Sequence, residues 1–249
     1  MNLLRRAISA FREYGLQYVL SEALPHIHNH YLRAYIKRRE TKLNGVQTRY
    51  RRIGDEIVPW QAGHPNPEDY ESGIIDSLRT HVREGDEVVV VGCGWGVSTT
   101  IAANAAGSTG RVTAYEASPK QAEFAQETVE LNGIEDRVDI KTGVVSQAVS
   151  TYGREQSSNI ISPNDLPACD VLEMDCEGAE MTILDNLKIQ PRVIIVETHG
   201  MFDSPTELVI EKLESRNYKI KSKKLAETGK YEQMCYENDV QVVTAIRNN

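Results

Sequence analysis

The sequence Glu87-Val-Val-Val-Val-Gly-Cys-Gly-Trp-Gly96 decides the fold predicted for this chain. Its four valines, Val88 to Val91, predict a short strand buried on both faces, as in a parallel sheet. Its three glycines stand on alternate positions and predict a turn that a ligand can approach closely, because no Cβ atoms stand in the way. Residues 97–106 then predict a helix whose first N–H groups face the same spot. The stretch therefore predicts a ligand site at the end of a buried strand.

The next predicted strand, Arg111–Glu116, ends in an acid twenty residues after the last glycine. A carboxylate in that place accepts hydrogen bonds from ribose hydroxyls. A dinucleotide fingerprint, G-x-G-x-x-G, would need a glycine at Val97, whereas this chain has G-x-G-x-G. That pattern resembles motif I of the class I S-adenosylmethionine-dependent methyltransferases, in which no pyrophosphate has to be bound. A tight turn in a ligand-free α/β protein is the alternative.

S-adenosylmethionine is therefore the predicted cofactor, bound by the glycine turn and by residues at neighbouring strand ends. Glu116 and Ala117 would meet the ribose, the residues after the third strand would meet the adenine, and Glu71 near a helix start would reach the pocket or face solvent. The predicted cofactor-binding residues are Glu71, Gly92, Cys93, Gly94, Gly96, Glu116, Ala117, Thr142, Gly143, Val144 and Asp175.

The order of the predicted elements indicates an α/β fold with a doubly wound, mostly parallel, seven-stranded Rossmann-like sheet. The predicted strands are 88–91, 111–116, 138–142, 169–175, 193–197, 218–224 and 240–246. The predicted helices between them are 68–83, 97–106, 118–131, 146–158, 177–187 and 204–216, with a polar loop between the last two strands.

Residues 1–67 are predicted to form an extension before a catalytic domain over 68–249. Helices are predicted over 2–20 and 28–40, and Asn44-Gly45 predicts a β-hairpin over 41–50. The boundary falls in residues 60–67, which contain two prolines and predict a loop. The helices would pack on the core or on a second copy of the chain, giving a homo-oligomer, or lie at a membrane surface.

Charge is distributed unevenly along this chain of 249 residues, whose net charge is −8. Residues 1–52 contain eleven Lys/Arg and three Asp/Glu, a net +8, so the remainder carries −16. An acidic body argues against a nucleic-acid partner, and the basic arm suits an anionic surface or another subunit. No apolar run approaches the ~20 residues of a membrane span. Without a visible signal peptide, and with four cysteines in no zinc or redox spacing, a cytoplasmic protein with free thiols is expected.

The chemistry is predicted at the carboxyl ends of the strands, where ligands bind in open α/β sheets. Asp175 and Glu197 stand there, and adjacent buried carboxylates repel each other, so a purely structural role gives no reason for them. Asp175 and His199 are predicted to orient and deprotonate a hydroxyl, with Glu197 on the same side as His199. Surface acids and a loop histidine are the alternative. The three residues could also share a divalent metal ion, which is not expected because oxygen with imidazole suits Mg2+ or Mn2+ only moderately.

Two blocks carry a more specific resemblance: Asp175-Cys-Glu-Gly-Ala-Glu180 and Val196-Glu-Thr-His199. They resemble the FkbM-type methyltransferases, whose members typically show Asp-x-Glu-Gly-x-Glu and a later Glu-x-His. The resemblance covers about residues 68–200 and implies an O-methyltransferase acting on sugar or polyketide hydroxyls. The family usually has an acid two residues before the first glycine, where this chain has Val90. Glu71 or Asp175 is then expected to hold the methionine part of the cofactor.

The predicted function is S-adenosylmethionine-dependent O-methylation of a hydroxyl on a small-molecule or lipid-linked glycan, with a uronic acid carboxylate as a variant acceptor. A non-catalytic partner that keeps the fold is the main alternative, because Val90 replaces an acid. A nicotinamide enzyme is disfavoured by Val97. A nucleic-acid methyltransferase is disfavoured because the fourth strand does not end in the Asn-Pro-Pro-aromatic motif that surrounds a flipped base.

Overall fold

The computed structural model describes residues 38–52, 69–146, 159–202 and 204–248. The chain divides into two compact units, residues 1–41 with 49–64 and residues 42–48 with 65–249. The helix predicted over 2–20, the loop over 60–67 and the boundary after residue 67 lie outside the described residues, as does nearly all of the helix predicted over 146–158. The helix predicted to reach Glu40 is wrong at its end, because residues 38–40 already lie in a strand.

The predicted hairpin is confirmed and consists of β1 (Arg38–Leu43) and β2 (Val46–Arg52). Asn44 and Gly45 join the strands with φ angles of 50° and 85°. Two successive positive φ angles match the twist of the flanking strands, and Asn-Gly is the dipeptide that adopts them most readily.

The second unit contains all the remaining described elements. Its strands are β3 (Glu87–Val91), β4 (Arg111–Glu116), β5 (Val138–Thr142), β6 (Val144–Val145), β7 (Ile160–Ile161), β8 (Val171–Met174), β9 (Val193–His199), β10 (Tyr218–Leu225) and β11 (Val240–Arg247). Its helices are α1 (Ser72–His81), α2 (Val97–Ala106), α3 (Pro119–Leu131), α4 (Glu180–Asn186), α5 (Thr206–Ser215) and α6 (Glu232–Glu237).

Seven of these strands form one sheet in the order β10-β11-β9-β8-β3-β4-β5. The five strands from β9 to β5 run parallel, whereas β11 pairs antiparallel with both β9 and β10. The predicted doubly wound, mostly parallel sheet is therefore confirmed. The chain reverses its direction of winding at β3, so the glycine turn after β3 lies where such folds bind ligands.

Continuous apolar runs explain why the central strands are buried on both faces. Val88 to Val91 are each at most 3% exposed. On one face Val89 and Val91 join Leu172 and Met174 in a cluster with side chains of α4 and α5. Helix α1 packs on β9 and β11.

Helix α3 begins as its sequence predicts, since Ser118 caps it by accepting a hydrogen bond from the N–H of Gln121 and Pro119 occupies its first turn.

The tip of the hairpin is attached to the end of α3. Gln47 donates its N–H to the side-chain oxygen of Asn132 over 3.2 Å, and the Asn132 amide donates back to the Gln47 carbonyl over 2.8 Å. Beside them, the hydroxyls of Thr48 and Thr128 lie 3.0 Å apart in a buried pair. These contacts fix residues 42–48 to the sheet-bearing unit.

Several predicted boundaries differ from the structure. Helix α1 begins at Ser72 rather than Glu68, because Glu71 has a left-handed φ of 48°. Helix α4 begins at Glu180 rather than Glu177, since φ is 49° at Glu177 and 107° at Gly178. Strand β8 ends at Met174, and β9 continues to His199. The loop predicted between β10 and β11 contains α6, and the β6–β7 pair was not predicted.

Among the described residues, none of the helices has the length and apolar character needed to span a membrane.

Candidate active site

A cavity of about 490 Å³ opens at the carboxyl ends of β3, β4 and β8. Eight of the predicted cofactor-binding residues line it. They are Glu71, Gly92, Gly94, Glu116, Ala117, Gly143, Val144 and Asp175. Tyr70 and Gln121 also line it and were not predicted, because their positions depend on how α1 and α3 approach the sheet.

Three predicted residues do not line the cavity. Cys93 is buried at 3% exposure inside the turn. Gly96 packs against α3, where an added Cβ would lie 2.9 Å from the Cα of Ala125. Thr142 ends β5 with its side chain exposed, and its carbonyl oxygen accepts a hydrogen bond from Asn159 over 3.5 Å. Strand order placed all three near the site, but only contacts between elements decide which atoms face it.

Glycine occupies the three positions of the turn for different structural reasons. Gly92 has φ +92°, and an added Cβ would lie 1.7 Å from the carbonyl oxygen of Asp175, so glycine is required by the backbone of the neighbouring strand end. Gly96 is required by the packing of α3. At Gly94, with φ +49°, an added Cβ would meet no atom within 4 Å. The space beside Gly94 is therefore open to a ligand.

Glu116 places its carboxylate directly against this turn. One carboxylate oxygen accepts the N–H of Gly94 over 3.0 Å, and the other accepts the N–H of Ser118 over 2.9 Å. Two backbone donors fix the orientation of the carboxylate, and each oxygen retains lone pairs for hydroxyl donors. Trp95 lines the cavity as a wall, stacked on Phe124 with ring centroids 4.7 Å apart.

Asp175, Glu197 and His199 are brought together, as predicted. His199 Nε2 lies 3.5 Å from an oxygen of Asp175 and 3.7 Å from an oxygen of Glu197. Asp175 lines the cavity, whereas Glu197 and His199 do not and reach it through Asp175. The ends of β8 and β9 pair side by side, which explains how residues far apart in sequence meet here.

Glu180 completes this group and was not among the predicted site residues. Its side chain is fully buried, and one oxygen lies 2.9 Å from His199 Nδ1. The N–H groups of Cys176 and Gly178 donate to the same carboxylate over 3.3 and 2.9 Å. The signal for it in the sequence is the last residue of the Asp-x-Glu-Gly-x-Glu block.

A family model matches part of this chain. Residues 158–220 match the family model described as Methyltransferase FkbM domain. The match includes Asp175, Glu180, Glu197 and His199, and it confirms the predicted resemblance to FkbM-type methyltransferases. No curated protein matches the chain.

Several solved structures are similar to this chain. They include a SAM-dependent O-methyltransferase from Thermotoga maritima (18% identity, TM-score 0.46, covering 72% of this chain and 65% of that one). A precorrin-6y C5,15-methyltransferase from Geobacter metallireducens is similar at 18% identity and TM-score 0.48, over 72% of this chain and 87% of that one. A putative O-methyltransferase from Klebsiella pneumoniae is similar at 17% identity and TM-score 0.47, over 72% and 80%. This chain thus spans slightly less than two thirds of the Thermotoga protein.

Burial and neighbouring charges shift the pKa values of the side chains at this site. Burial raises the pKa of Asp175 to about 6, although the charge of His199 opposes the shift. Burial and the charge of Asp175 raise the pKa of Glu197 well above its usual range. Burial lowers the pKa of His199, but the hydrogen bond with Glu180 and the charge of Asp175 outweigh it, so the net shift is upward. Although burial raises the pKa of Glu180, the same hydrogen bond lowers it overall. Glu180 and His199 therefore form a buried hydrogen-bonded pair in which each side chain favours the charged form of the other.

Further acids surround this pair. Burial and the charge of Asp175 raise the pKa of Glu71 to about 8, and the Glu71 N–H donates to Glu227 over 3.1 Å. Glu173 is fully buried in β8, and neither of its carboxylate oxygens has a hydrogen-bond partner within the described part of the chain. Glu173 pairs in register with Val90, so an acid stands beside the position where the family pattern has one. Single-residue patterns gave no signal for Glu173 or Glu227, because strand register places Glu173 and the segment after β10 places Glu227.

Proposed function

We propose that this protein is an S-adenosylmethionine-dependent O-methyltransferase whose acceptor is a hydroxyl of a sugar or glycan. The observation that carries the proposal is the Glu116 carboxylate, held against the Gly94 turn at the wall of a cavity in a chain that matches the FkbM domain. A uronic acid carboxylate is the variant acceptor, since it offers the same kind of oxygen. The FkbM-type resemblance supports the choice of a sugar.

The residues present fit the cofactor. Glu116 offers acceptors to two ribose hydroxyls, and Gly94 leaves its backbone open to close approach. Gly143 and Val144 stand at the wall next to β5, where an adenine would lie. Asp175 and Glu71 offer carboxylates to the ammonium group of the methionine part. When bound, S-adenosylmethionine would supply an electrophilic methyl group.

The protein's own contribution is to position the acceptor oxygen and to receive its proton. Positioning of reactants can correspond to effective molarities of about 10⁵ M or more. The cluster of Asp175, Glu197 and His199 lies beside the cavity, and Asp175 is the member of the cluster whose carboxylate lines the cavity. The Glu180–His199 pair holds this cluster in place, because both ends of the pair are buried and hydrogen-bonded.

Calorimetry of the full chain with S-adenosylmethionine tests the cofactor. We expect a dissociation constant in the micromolar range. Glu123→Gln, on the exposed surface of α3, is the control that changes a charge outside the cavity. If the chain binds no S-adenosylmethionine at concentrations up to millimolar, the proposed methyltransferase function is refuted.

Mass spectrometry of glycans from cells with and without the gene tests the acceptor. The expected result is one glycan that loses a single methyl increment when the gene is absent. A protein that binds the cofactor but transfers no methyl group to any glycan pool would favour the non-catalytic alternative.

A further inference from the structure

The cluster of Asp175, Glu197 and His199 has the geometry of a site for a cation. Each side chain offers one ligand atom, and these atoms all lie within 4.8 Å of one another. Ligand atoms ~2.1 Å from a tetrahedral ion lie about 3.4 Å apart. The separations of 3.5 and 3.7 Å from His199 Nε2 are close to that value, and the oxygens of Asp175 and Glu197 lie within 4.8 Å of each other.

Glu180 supplies the outer support that histidine ligands of metal ions usually have. Its carboxylate holds Nδ1 of His199, which directs Nε2 at the carboxylates of Asp175 and Glu197. A carboxylate in this place fixes the tautomer and the ring orientation and raises the basicity of the nitrogen that binds the ion. Two backbone N–H groups fix Glu180 in turn, so the arrangement is rigid before any ion arrives.

A second observation, independent of those three residues, also points to a cation. Glu173 lies two residues before Asp175 and therefore on the same face of the strand. It is fully buried, both of its oxygens lack hydrogen-bond partners among the described residues, and its closest electrostatic neighbours are Asp175 and Glu71. A buried carboxylate without a partner is costly. A cation held by Asp175 would bring positive charge near this buried side chain.

We propose that Asp175, Glu197 and His199 bind one divalent transition-metal ion of the Mn2+, Fe2+ and Zn2+ class. The imidazole ligand favours Fe2+ and Zn2+, the two carboxylates also suit Mn2+, and Mg2+ is disfavoured because it retains its waters. Three protein ligands leave coordination positions open, as in catalytic rather than structural metal sites. An acceptor hydroxyl fits such a position; this role rests on the proposed function, whereas the binding of the ion does not.

Titration of the chelator-treated full chain with Mn2+ alone tests the site. The electron paramagnetic resonance signal of free Mn2+ gives the number of sites and their affinity. We expect one bound Mn2+ per chain, displaced by Zn2+ but not by an equal concentration of Mg2+. Pulsed resonance of the bound ion should show coupling to a directly bound imidazole nitrogen. No bound Mn2+, or bound Mn2+ without nitrogen coupling, overturns the proposal without any variant having to fold.

Variants then assign the ligands. His199→Ala and Asp175→Asn should each weaken Mn2+ binding at least about 10-fold, and Glu180→Gln about 10–100-fold with an altered nitrogen coupling. Glu177→Gln is the matched control, because it removes a charge from the same loop and cavity wall without removing a ligand. An equal loss in Glu177→Gln would show that Mn2+ responds to net charge only, and the proposal would be wrong.

Cofactor binding in the chelator-treated protein separates this proposal from the proposed function. If S-adenosylmethionine binds and Mn2+ does not, the metal site alone is refuted. If Mn2+ binds with nitrogen coupling and the cofactor does not bind, the metal site is supported and the methyltransferase function fails.

Discussion

Replacing Gly94 by alanine tests the cofactor cavity with little disturbance of the fold. Gly92 and Gly96 are unsuitable, because an added methyl group there collides with the backbone of Asp175 or Ala125. At Gly94 the methyl group meets no described atom within 4 Å. It therefore enters the space beside the Glu116 carboxylate, which is where we place the ribose.

Two separate free energies follow from this geometry. A non-glycine residue in the left-handed region costs about 1–2 kcal/mol, so the free energy of unfolding should fall by that amount. In a chain of this size each 1 kcal/mol lowers the unfolding temperature by roughly 2–4 °C. An extra methyl group in a packed contact costs about 1–3 kcal/mol. Because about 1.4 kcal/mol is a factor of ten, the affinity for S-adenosylmethionine should fall about 5- to 150-fold.

Gly133→Ala is the matched control for these measurements. Gly133 follows α3 with φ +64°, an added Cβ there also meets no atom within 4 Å, and it does not line the cavity. Both variants should lose similar stability in urea denaturation, whereas calorimetry should show weaker cofactor binding only for Gly94→Ala. Equal affinities in the two variants would refute the reasoning, because the cofactor would then not lie over the turn.

Three further predictions follow from named contacts. Glu116→Gln should weaken S-adenosylmethionine and 5′-methylthioadenosine about equally, by roughly 10-fold, because both share the ribose; calorimetry with the two ligands checks this, and a loss confined to one would place Glu116 elsewhere. Burial and the charge of Asp175 raise the pKa of Glu71 to about 8 in the folded protein, whereas the pKa of this side chain in the unfolded chain is 4.5. The folded state therefore holds a proton that the unfolded state releases, so this stabilisation is present below pH 4.5 and is lost as pH rises through about 8. Urea denaturation of chelator-treated protein across this window should show a fall that is smaller in Glu71→Gln, and identical slopes would contradict the assignment. Thr128→Val should lower the free energy of unfolding by about 1–3 kcal/mol, because Thr48 keeps a buried hydroxyl without its partner. Adding Thr48→Val should recover part of that loss, and strictly additive losses in the double-mutant cycle would show that the two hydroxyls do not interact.

The sequence was sufficient for the sheet because its signals are local and repeated. The valine run of β3, the Ser118-Pro119 start of α3 and the Asn44-Gly45 turn each determine their own backbone, and all three are confirmed. The position of Glu116 followed from the same kind of signal. Because β4 pairs in parallel with β3, the end of β4 at Glu116 has to lie close to the glycine turn that follows β3.

The site was predicted only in part, because its remaining members depend on register and on unusual backbone angles. Glu173 lies beside Val90 because β3 and β8 pair in that register, and no short sequence motif records strand register. Glu180 reaches His199 because Glu177 and Gly178 adopt positive φ and fold the loop back around its carboxylate. Helix α6 was missed because its six residues are too few for a clear periodic pattern.

Departures from ordinary structural preference are concentrated at this cavity. Five non-glycine residues have positive φ, and among the described residues these are Asn44, Glu71, Glu177, Asn217 and Asp239. Asparagine and aspartate tolerate that conformation in turns, but glutamate has no such preference. Both glutamates line the cavity, beside Asp175 with its raised pKa. Strain and buried charge each cost stability, and the well-packed sheet around β3 and β8 maintains both at one edge. A ligand that carries positive charge offsets the buried charge, which is the physical reason to place the cofactor's ammonium group and a metal ion at this edge of the sheet.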